Sequence, residues 1–164
     1  MKNWHYIVVI VIMLLLLFLG GDKNLQAFLR MIRKAEGTGG SSGYKMLFGG
    51  KLFDSYAKHP NVKVPFGSTY STAAGAYQFL YSTWTSLADR LGLKDFSPAS
   101  QDKAAIQLIK DKGAYADVLA GRFNSAVDKV KKVWASLPGA GYGQGERSLA
   151  EVRKYYQDAG GQFA

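Results

Sequence analysis

The chain has 164 residues, 48% of them hydrophobic, which is enough to bury one sizeable core, so we expect a single globular domain. Its formal net charge of +9 predicts a polyanionic partner, for which nucleic acid, anionic lipid and the bacterial cell wall all qualify, unless the basic surface serves solubility alone. Without cysteine and with only two histidines, the chain has no disulfide, no cysteine nucleophile and no zinc site, so we expect neither a metal nor a cofactor.

The N-terminus contains an unbroken apolar run over residues 6–19, with Lys2 before it and Gly20-Gly21 after it. As a helix this run is about 21 Å long, which is short of a hydrocarbon core of about 30 Å. Three interpretations stay open: a cleaved signal peptide, a buried core helix and an uncleaved export signal. We favour the third, because the junction is a poor cleavage site and an all-apolar terminus has no polar face. We therefore expect an export signal or anchor at residues 1–21, with Lys2 on the inner side, and a globular domain at residues 22–164.

The globular part is predicted to begin with an amphipathic helix. Asn24 is a candidate N-cap, and apolar residues follow it at helical spacing at Leu25, Phe28, Leu29 and Ile32. Gly37 predicts the end of this helix at Ala35 or Glu36.

The rest of the domain is predicted to be mainly helical with one small hairpin. Residues 44–48 and 51–53 flank Gly49-Gly50, which is the spacing of a two-residue β turn, whereas residues 57–74 have little periodicity. Further helices are expected from Gly75 to a stop at Gly92, from Ser97-Pro98 onward, and over Tyr115–Leu119, Asn124–Trp134 and Ser148–Ala159. The predicted fold class is α+β, a mainly helical domain with a small β hairpin and an N-terminal apolar helix.

Glu36 is the most distinctive candidate for chemistry. It follows Ile32 by four residues, so it lies on the apolar stripe of the first helix, at the negative end of the helix dipole. Burial and the dipole both disfavour its ionised form and predict a raised pKa, as a general acid needs near neutral pH. A glutamate near a helix end that simply faces solvent is the alternative, and the residues alone do not decide between the two.

Other motifs give weaker signals. Tyr77, Tyr142, Tyr155 and Tyr156 offer aromatic rings for sugar stacking, but aromatics at helical spacing also build cores. The glycine-rich stretch at residues 139–145 lacks the G-x-G-x-x-G spacing of a phosphate cradle. We find no nucleic-acid-binding module and expect no nucleic-acid partner.

Two long stretches carry a family resemblance: LGLKDFSP at residues 91–98 and WASLPGAGYGQ at residues 134–144. Shorter matches are Glu36-Gly37-Thr38, Gly49-Gly50 with Leu52-Phe53, and Ala74-Gly75 with Tyr77-Gln78. Through these residues, from about Leu25 to Gly161, the chain resembles the bacteriophage lambda endolysin family, lytic transglycosylases with a lysozyme-like fold.

The resemblance implies a specific chemistry. Glu36 would be the catalytic acid, and Tyr77, Gln78 and Tyr142 would hold the sugar chain. The expected reaction cleaves the bond between N-acetylmuramic acid and N-acetylglucosamine in peptidoglycan glycan strands with a 1,6-anhydro product and a single carboxylate. A hydrolytic muramidase using Glu36 with Asp54 and a non-catalytic, membrane-tethered wall-binding module are the alternatives.

The apolar N-terminus resembles that of signal-arrest-release endolysins. This similarity implies a monomer held at the host inner membrane through residues 6–19, facing the periplasm. Release into the periplasm would then follow when a holin or pinholin collapses the membrane potential.

Overall fold

The computed structural model describes residues 3–143 and 145–164, and within the first helix it describes the side chains of residues 9–11 and of residue 21 onward. The described part is mainly helical with one two-stranded antiparallel sheet, which confirms the predicted mixture. Its helices are α1 (Asn3–Ala35), α2 (Tyr81–Leu91), α3 (Pro98–Asp111), α4 (Tyr115–Leu119), α5 (Phe123–Val130) and α6 (Leu149–Asp158), its strands are β1 (Val64–Phe66) and β2 (Thr69–Ser71), and a 3-10 turn covers Gly43–Lys45.

Helix α1 differs from the prediction at its start. It is one helix from Asn3 to Ala35, with no break at Gly20-Gly21, so Asn24 is not an N-cap. The Asn24 side chain instead donates to the Leu119 carbonyl at 3.2 Å and accepts from the Gln162 amide at 2.9 Å. These distant partners satisfy the amide inside the fold, which outweighs the local preference of asparagine for a cap.

The membrane prediction falls on the first part of α1. Lys2 and most side chains of residues 6–19 lie outside the described residues. Among the described residues, no helix combines the length and apolarity that a membrane crossing needs.

The small sheet lies elsewhere in the chain than the sequence predicted. Strands β1 and β2 pair from Val64↔Ser71 to Phe66↔Thr69, inside the stretch expected to be irregular. Gly49-Gly50 does turn the chain, with both φ angles positive, but it is flanked by a single bridge between Met46 and Leu52. The predicted turn at Gly49-Gly50 is therefore confirmed, whereas the predicted strands on either side of it were wrong.

The later helices match their predictions except at two boundaries. Gly92 ends α2 in the left-handed conformation, and Ser97 caps α3 ahead of Pro98, as expected. Helix α2 begins at Tyr81 and not soon after Gly75, because Gln78 has a φ of +49° that no helix accommodates. Helix α5 ends at Val130, short of Trp134.

The core fixes the second half of α1 against the C-terminal helices. Phe28 of α1 contacts Phe123 and Tyr156, with ring centroids 6.0 Å and 6.4 Å away. Burying one such phenylalanine contributes about 2 kcal/mol. Glu36 follows this helix directly, so the packing of α1 sets the position of its carboxyl group.

Candidate active site

Glu36 stands where α1 gives way to a loop. Its amide still donates to the Ile32 carbonyl at 2.9 Å, so the residue is held by the last helical turn. Gly37 follows with a φ of +78°, a conformation that only glycine adopts without strain, and it turns the chain away from the helix axis. The Glu36 side chain is half-buried and lines a groove.

A serine hydroxyl holds the Glu36 carboxyl group. Ser136 Oγ donates to Oε1 at 2.6 Å, and the Ser136 amide lies 3.4 Å from the same oxygen. Arg147 links Ser136 to the end of α1. Its amide donates to the Ser136 carbonyl at 2.8 Å, and its Nε donates to the Ala35 carbonyl at 3.4 Å. Oε2 accepts no hydrogen bond from the described residues, so one oxygen stays available to a ligand.

Burial raises the pKa of the Glu36 carboxyl group above its ordinary value of 4.5. The hydrogen bonds from Ser136 and the charge of Arg147 oppose this shift without cancelling it. The predicted direction is thus confirmed, and desolvation is its main cause. A carboxyl group of this kind holds its proton closer to neutral pH and is able to donate it.

The groove beside Glu36 has a volume of about 680 Å³ and walls from several elements. The hairpin contributes Phe66 and Tyr70, α2 contributes Thr83, and α3 contributes Leu108. Its other lining residues are Phe48, Thr69, Ser71, Ala73, Gln78, Leu80, Lys112, Lys132, Val133, Trp134, Ala135 and Tyr142. Among the described lining residues, Glu36 is the only acidic one.

Gln78, which the sequence predicts to contact substrate, is one of the residues that line the groove. Its side-chain amide donates to the carbonyls of Gly75 at 3.0 Å and Met46 at 3.3 Å. The chain reaches this position through Gly75, where a Cβ would stand 2.3 Å from Oε1 of Gln101. Gln101 is fully buried and accepts from the Ala76 amide at 2.8 Å, so it fixes the segment that presents Gln78.

Tyr77 does not line the groove. It is 1% exposed, and its hydroxyl donates to Asp102 Oδ1 at 2.6 Å in the core. Tyr44 donates to the same oxygen at 2.8 Å. The prediction that Tyr77 contacts sugar beside Gln78 was therefore wrong, because its side chain has almost no exposed surface. Its place behind the groove gives it a supporting role.

Tyr142 is on the groove surface and is 52% exposed. Its hydroxyl donates to the Lys132 carbonyl at 3.0 Å, and the Lys132 ammonium lies 5.6 Å from the ring centroid. One face of an ordered, half-exposed ring is a suitable surface for a sugar to stack on.

The other two glutamates have structural roles. Glu146 accepts from the amides of Gly139 and Gly141, and Glu151 forms a capping box with Ser148 at the start of α6. Asp54 is exposed and is not among the groove-lining residues. Among the described residues, no group of three or more His, Asp or Glu side chains is placed to hold a metal ion.

Comparison with known proteins identifies the family. Residues 26–163 match the Endolysin family model. The chain is 42% identical over 143 residues to the endolysin of Escherichia phage lambda, which covers 83% of this chain and 90% of the relative. It is 40% identical over 155 residues to the endolysin of Escherichia phage P2, over 85% and 94% of the two chains. The chain belongs to the endolysin family.

Solved structures confirm the lysozyme-like fold of this endolysin. A structure of bacteriophage lambda lysozyme complexed with a chitohexasaccharide superposes with a TM-score of 0.83 at 40% identity, over 87% of this chain and 97% of that chain. A second lysozyme structure from bacteriophage lambda gives a TM-score of 0.79 at the same identity and coverage. As an endolysin, the chain is a peptidoglycan-degrading enzyme that causes lysis. The alternative of a non-catalytic wall-binding module is therefore excluded.

Sequence reasoning missed the residues that support the endolysin groove. Ser136 gave no signal of its own, because a serine 100 positions from Glu36 meets it only in the folded chain. Gln101 did leave a trace, since it is a polar residue on the apolar face of α3. A polar side chain in such a place is usually satisfied by buried backbone groups.

Proposed function

We propose that this endolysin cleaves glycan strands by lytic transglycosylation, with Glu36 as the single acid and base. The observation that supports it best is the Glu36 carboxyl group itself. It is half-buried, held by Ser136 at 2.6 Å, and the only acidic side chain among the described residues that line the groove.

The proposed reaction uses Glu36 twice. The protonated carboxyl group donates its proton to the oxygen that bridges N-acetylmuramic acid and N-acetylglucosamine, and the bond from that oxygen to the muramoyl C1 breaks. The resulting carboxylate accepts the proton of the muramoyl C6 hydroxyl, whose oxygen bonds to C1. The product is a 1,6-anhydro ring, no water is consumed, and Glu36 ends protonated as it began.

The position of Asp54 favours this reaction over hydrolysis. Glycosidases that use water or a covalent intermediate need two carboxyl groups facing each other across the bond. Asp54, the reserve candidate for a second acid, is exposed outside the groove lining, where its backbone carbonyl accepts from Lys45 at 2.9 Å. A single groove acid fits a mechanism in which the substrate supplies its own nucleophile.

Product analysis in ¹⁸O-labelled water tests the proposal. The full-length chain is incubated with purified peptidoglycan, and the muramic ends are examined by mass spectrometry. Transglycosylation gives ends lighter by one water than hydrolysis and free of ¹⁸O. Hydrated reducing ends that carry ¹⁸O would place the enzyme among the hydrolases, and the Glu36→Gln variant supplies the background.

We also propose that the first part of α1 tethers the enzyme to the host inner membrane. Val9, Ile10 and Val11 are each more than half exposed, an arrangement that favours contact with lipid over contact with a protein core. Because α1 continues unbroken to Ala35, the tether and the residue before Glu36 belong to one helix. The protein would face the periplasm as a monomer and be freed when a holin or pinholin collapses the membrane potential.

Cell fractionation before and after an uncoupler tests the tether. The proposal expects the wild-type chain in the membrane fraction first and in the periplasm afterwards. Ile10→Arg should prevent membrane retention, whereas Ile10→Leu should behave as wild type. Recovery of the wild-type chain in a soluble fraction before uncoupling would contradict the tether and leave the reaction unaffected.

A further inference from the structure

A second cavity, of about 650 Å³, is lined by residues around the end of α1 and is basic. Its walls come from the last turns of α1, from the loop after Glu36 and from the end of α6. Cationic side chains line it at Arg30, Arg33 and Lys34, against one acidic side chain at Asp158. We call it the basic pocket.

The positive charge of the basic pocket is mostly uncompensated by the described residues. Lys34 Nζ lies 3.7 Å from Asp158 Oδ2, whereas Arg30 and Arg33 pair with no described carboxylate. The Nε atom of Arg33 is buried and has no hydrogen-bond partner. The Arg33 guanidinium carbon lies 5.0 Å from the ring centroid of Tyr44, so its described partner is an aromatic ring and not an anion.

The loop adds main-chain donors to the basic pocket. Gly39 and Gly40 line the cavity, and their amides donate to no described acceptor. Gly40 has open space where a Cβ would stand, so a ligand is able to approach its backbone. Free amides beside arginine side chains form a site for a carboxylate or phosphate oxygen.

The basic pocket adjoins the groove, because Glu36 lines the groove and Gly37, the next residue, lines the pocket. Arg33 stands three residues before Glu36, one turn back on the same helix, and Gly37 follows Glu36 directly. A glycan strand in the groove carries peptide stems on its muramic acids, and these stems end in free carboxylates. We propose that the basic pocket binds a carboxylate of the peptide stem and selects strands that carry stems. This inference rests on peptidoglycan being the substrate of the groove.

The test compares glycan strands that carry stems with the same strands after an amidase has removed them. Arg30→Gln with Lys34→Gln should lower the ratio of kcat/KM between the two substrates by about tenfold, the effect of one lost charged hydrogen bond. Lys23→Gln with Lys94→Gln is the matched control, since it removes two exposed positive charges away from the pocket and should leave the ratio unchanged. An unchanged ratio in the pocket variant would overturn the proposal.

Amide chemical shifts provide a readout that is independent of catalysis. Free stem peptide added to the wild-type protein should shift the amides of Gly39 and Gly40, and the pocket variant should lose these shifts. Equal shifts with inorganic phosphate, or loss of binding to phosphatidylglycerol vesicles without loss of stem selectivity, would overturn the assignment to peptide. Hydrated muramic ends would contradict the proposed transglycosylation but not the proposed role of the basic pocket. The substrate ratio and the amide shifts do not depend on how the bond is cleaved.

Discussion

Glu36 and Asp117 are both withdrawn from water, yet their pKa values move in opposite directions. Asp117, in the corner between α4 and α5, accepts from Arg122 Nε at 2.6 Å, Lys129 Nζ at 2.6 Å and Ser125 Oγ at 2.8 Å. These donors hold the pKa of Asp117 well below its usual range. Glu36 has one hydroxyl donor, which does not cancel the desolvation of its carboxyl group, so its pKa is raised.

The comparison shows that the partners, and not burial alone, decide what a buried carboxyl group does. Three donors around Asp117 fix a permanent anion that fastens α4 to α5. A single hydroxyl near Glu36 leaves the ionised form under-solvated, so the proton is retained and available for transfer. One site is specialised for stability and the other for chemistry, and substitutions should separate the two.

The largest expected effect is on activity at Glu36. Glu36→Gln should reduce peptidoglycan clearing by about 10³-fold or more, because the variant cannot donate or accept the proton. Its midpoint of thermal unfolding at neutral pH should equal or exceed that of the wild type. Glu36 has a raised pKa in the folded state, so ionising it costs stability as pH rises above 4.5, and glutamine removes that cost. Turbidity loss of purified cell walls and circular dichroism melts measure the two effects.

The reverse pattern is expected at Asp117. Asp117→Asn should lower the unfolding midpoint by several degrees, because Arg122 and Lys129 lose their shared anion. Below that midpoint, its clearing rate should match the wild type. The wild-type contribution is present above the ordinary pKa of 3.8 and is lost as pH falls, so the two proteins should converge in acid. Equal stability of the two proteins at pH 7 would contradict the stabilising role of Asp117.

A smaller effect should follow from removing the hydroxyl donor to Glu36, because the weaker hydrogen bond from the Ser136 amide remains. Because the Ser136 hydroxyl lowers the pKa of Glu36, Ser136→Ala should raise it further. The limb of kcat/KM that needs protonated Glu36 should then extend to higher pH, whereas Ser136→Thr should preserve the wild-type profile. A profile that moves to lower pH would contradict the role of this hydrogen bond.

The smallest effects distinguish two tyrosines. Tyr77→Phe should cost about 1 kcal/mol of stability, because it removes a buried hydrogen bond to Asp102, and should leave KM unchanged. Tyr142→Phe should change stability little, since its hydroxyl is exposed, but Tyr142→Ala should raise KM about fivefold by removing the stacking surface. Urea melts and initial rates would show whether Tyr77 supports the groove or meets the sugar.

Much of this arrangement was accessible from the sequence. Helical spacing and glycine punctuation predicted the end of α1 at Ala35, the stop at Gly92 and the Ser97-Pro98 start of α3, because these signals are local. The position of Glu36 at the end of an apolar stripe predicted its raised pKa for the same reason.

The rest depended on contacts between distant residues. Asn24 has the local character of a cap, but its partners are Leu119 and Gln162, far along the chain. Strands β1 and β2 show no alternation of apolar and polar residues, because each has only three residues and buries little side-chain surface. Tyr77 and Gln78 are neighbours in sequence, yet one lies in the core and the other in the groove, which no periodicity of short segments reveals.

The most direct test of the central claim is an NMR titration of the Glu36 side-chain carboxyl carbon in the folded protein. We expect a midpoint above 4.5, the ordinary value for a glutamate, because the carboxyl group is desolvated beside a single hydroxyl donor. A midpoint at or below 4.5 would mean that Glu36 is as well solvated as a surface carboxylate. It would then lack the proton that the proposed bond cleavage requires.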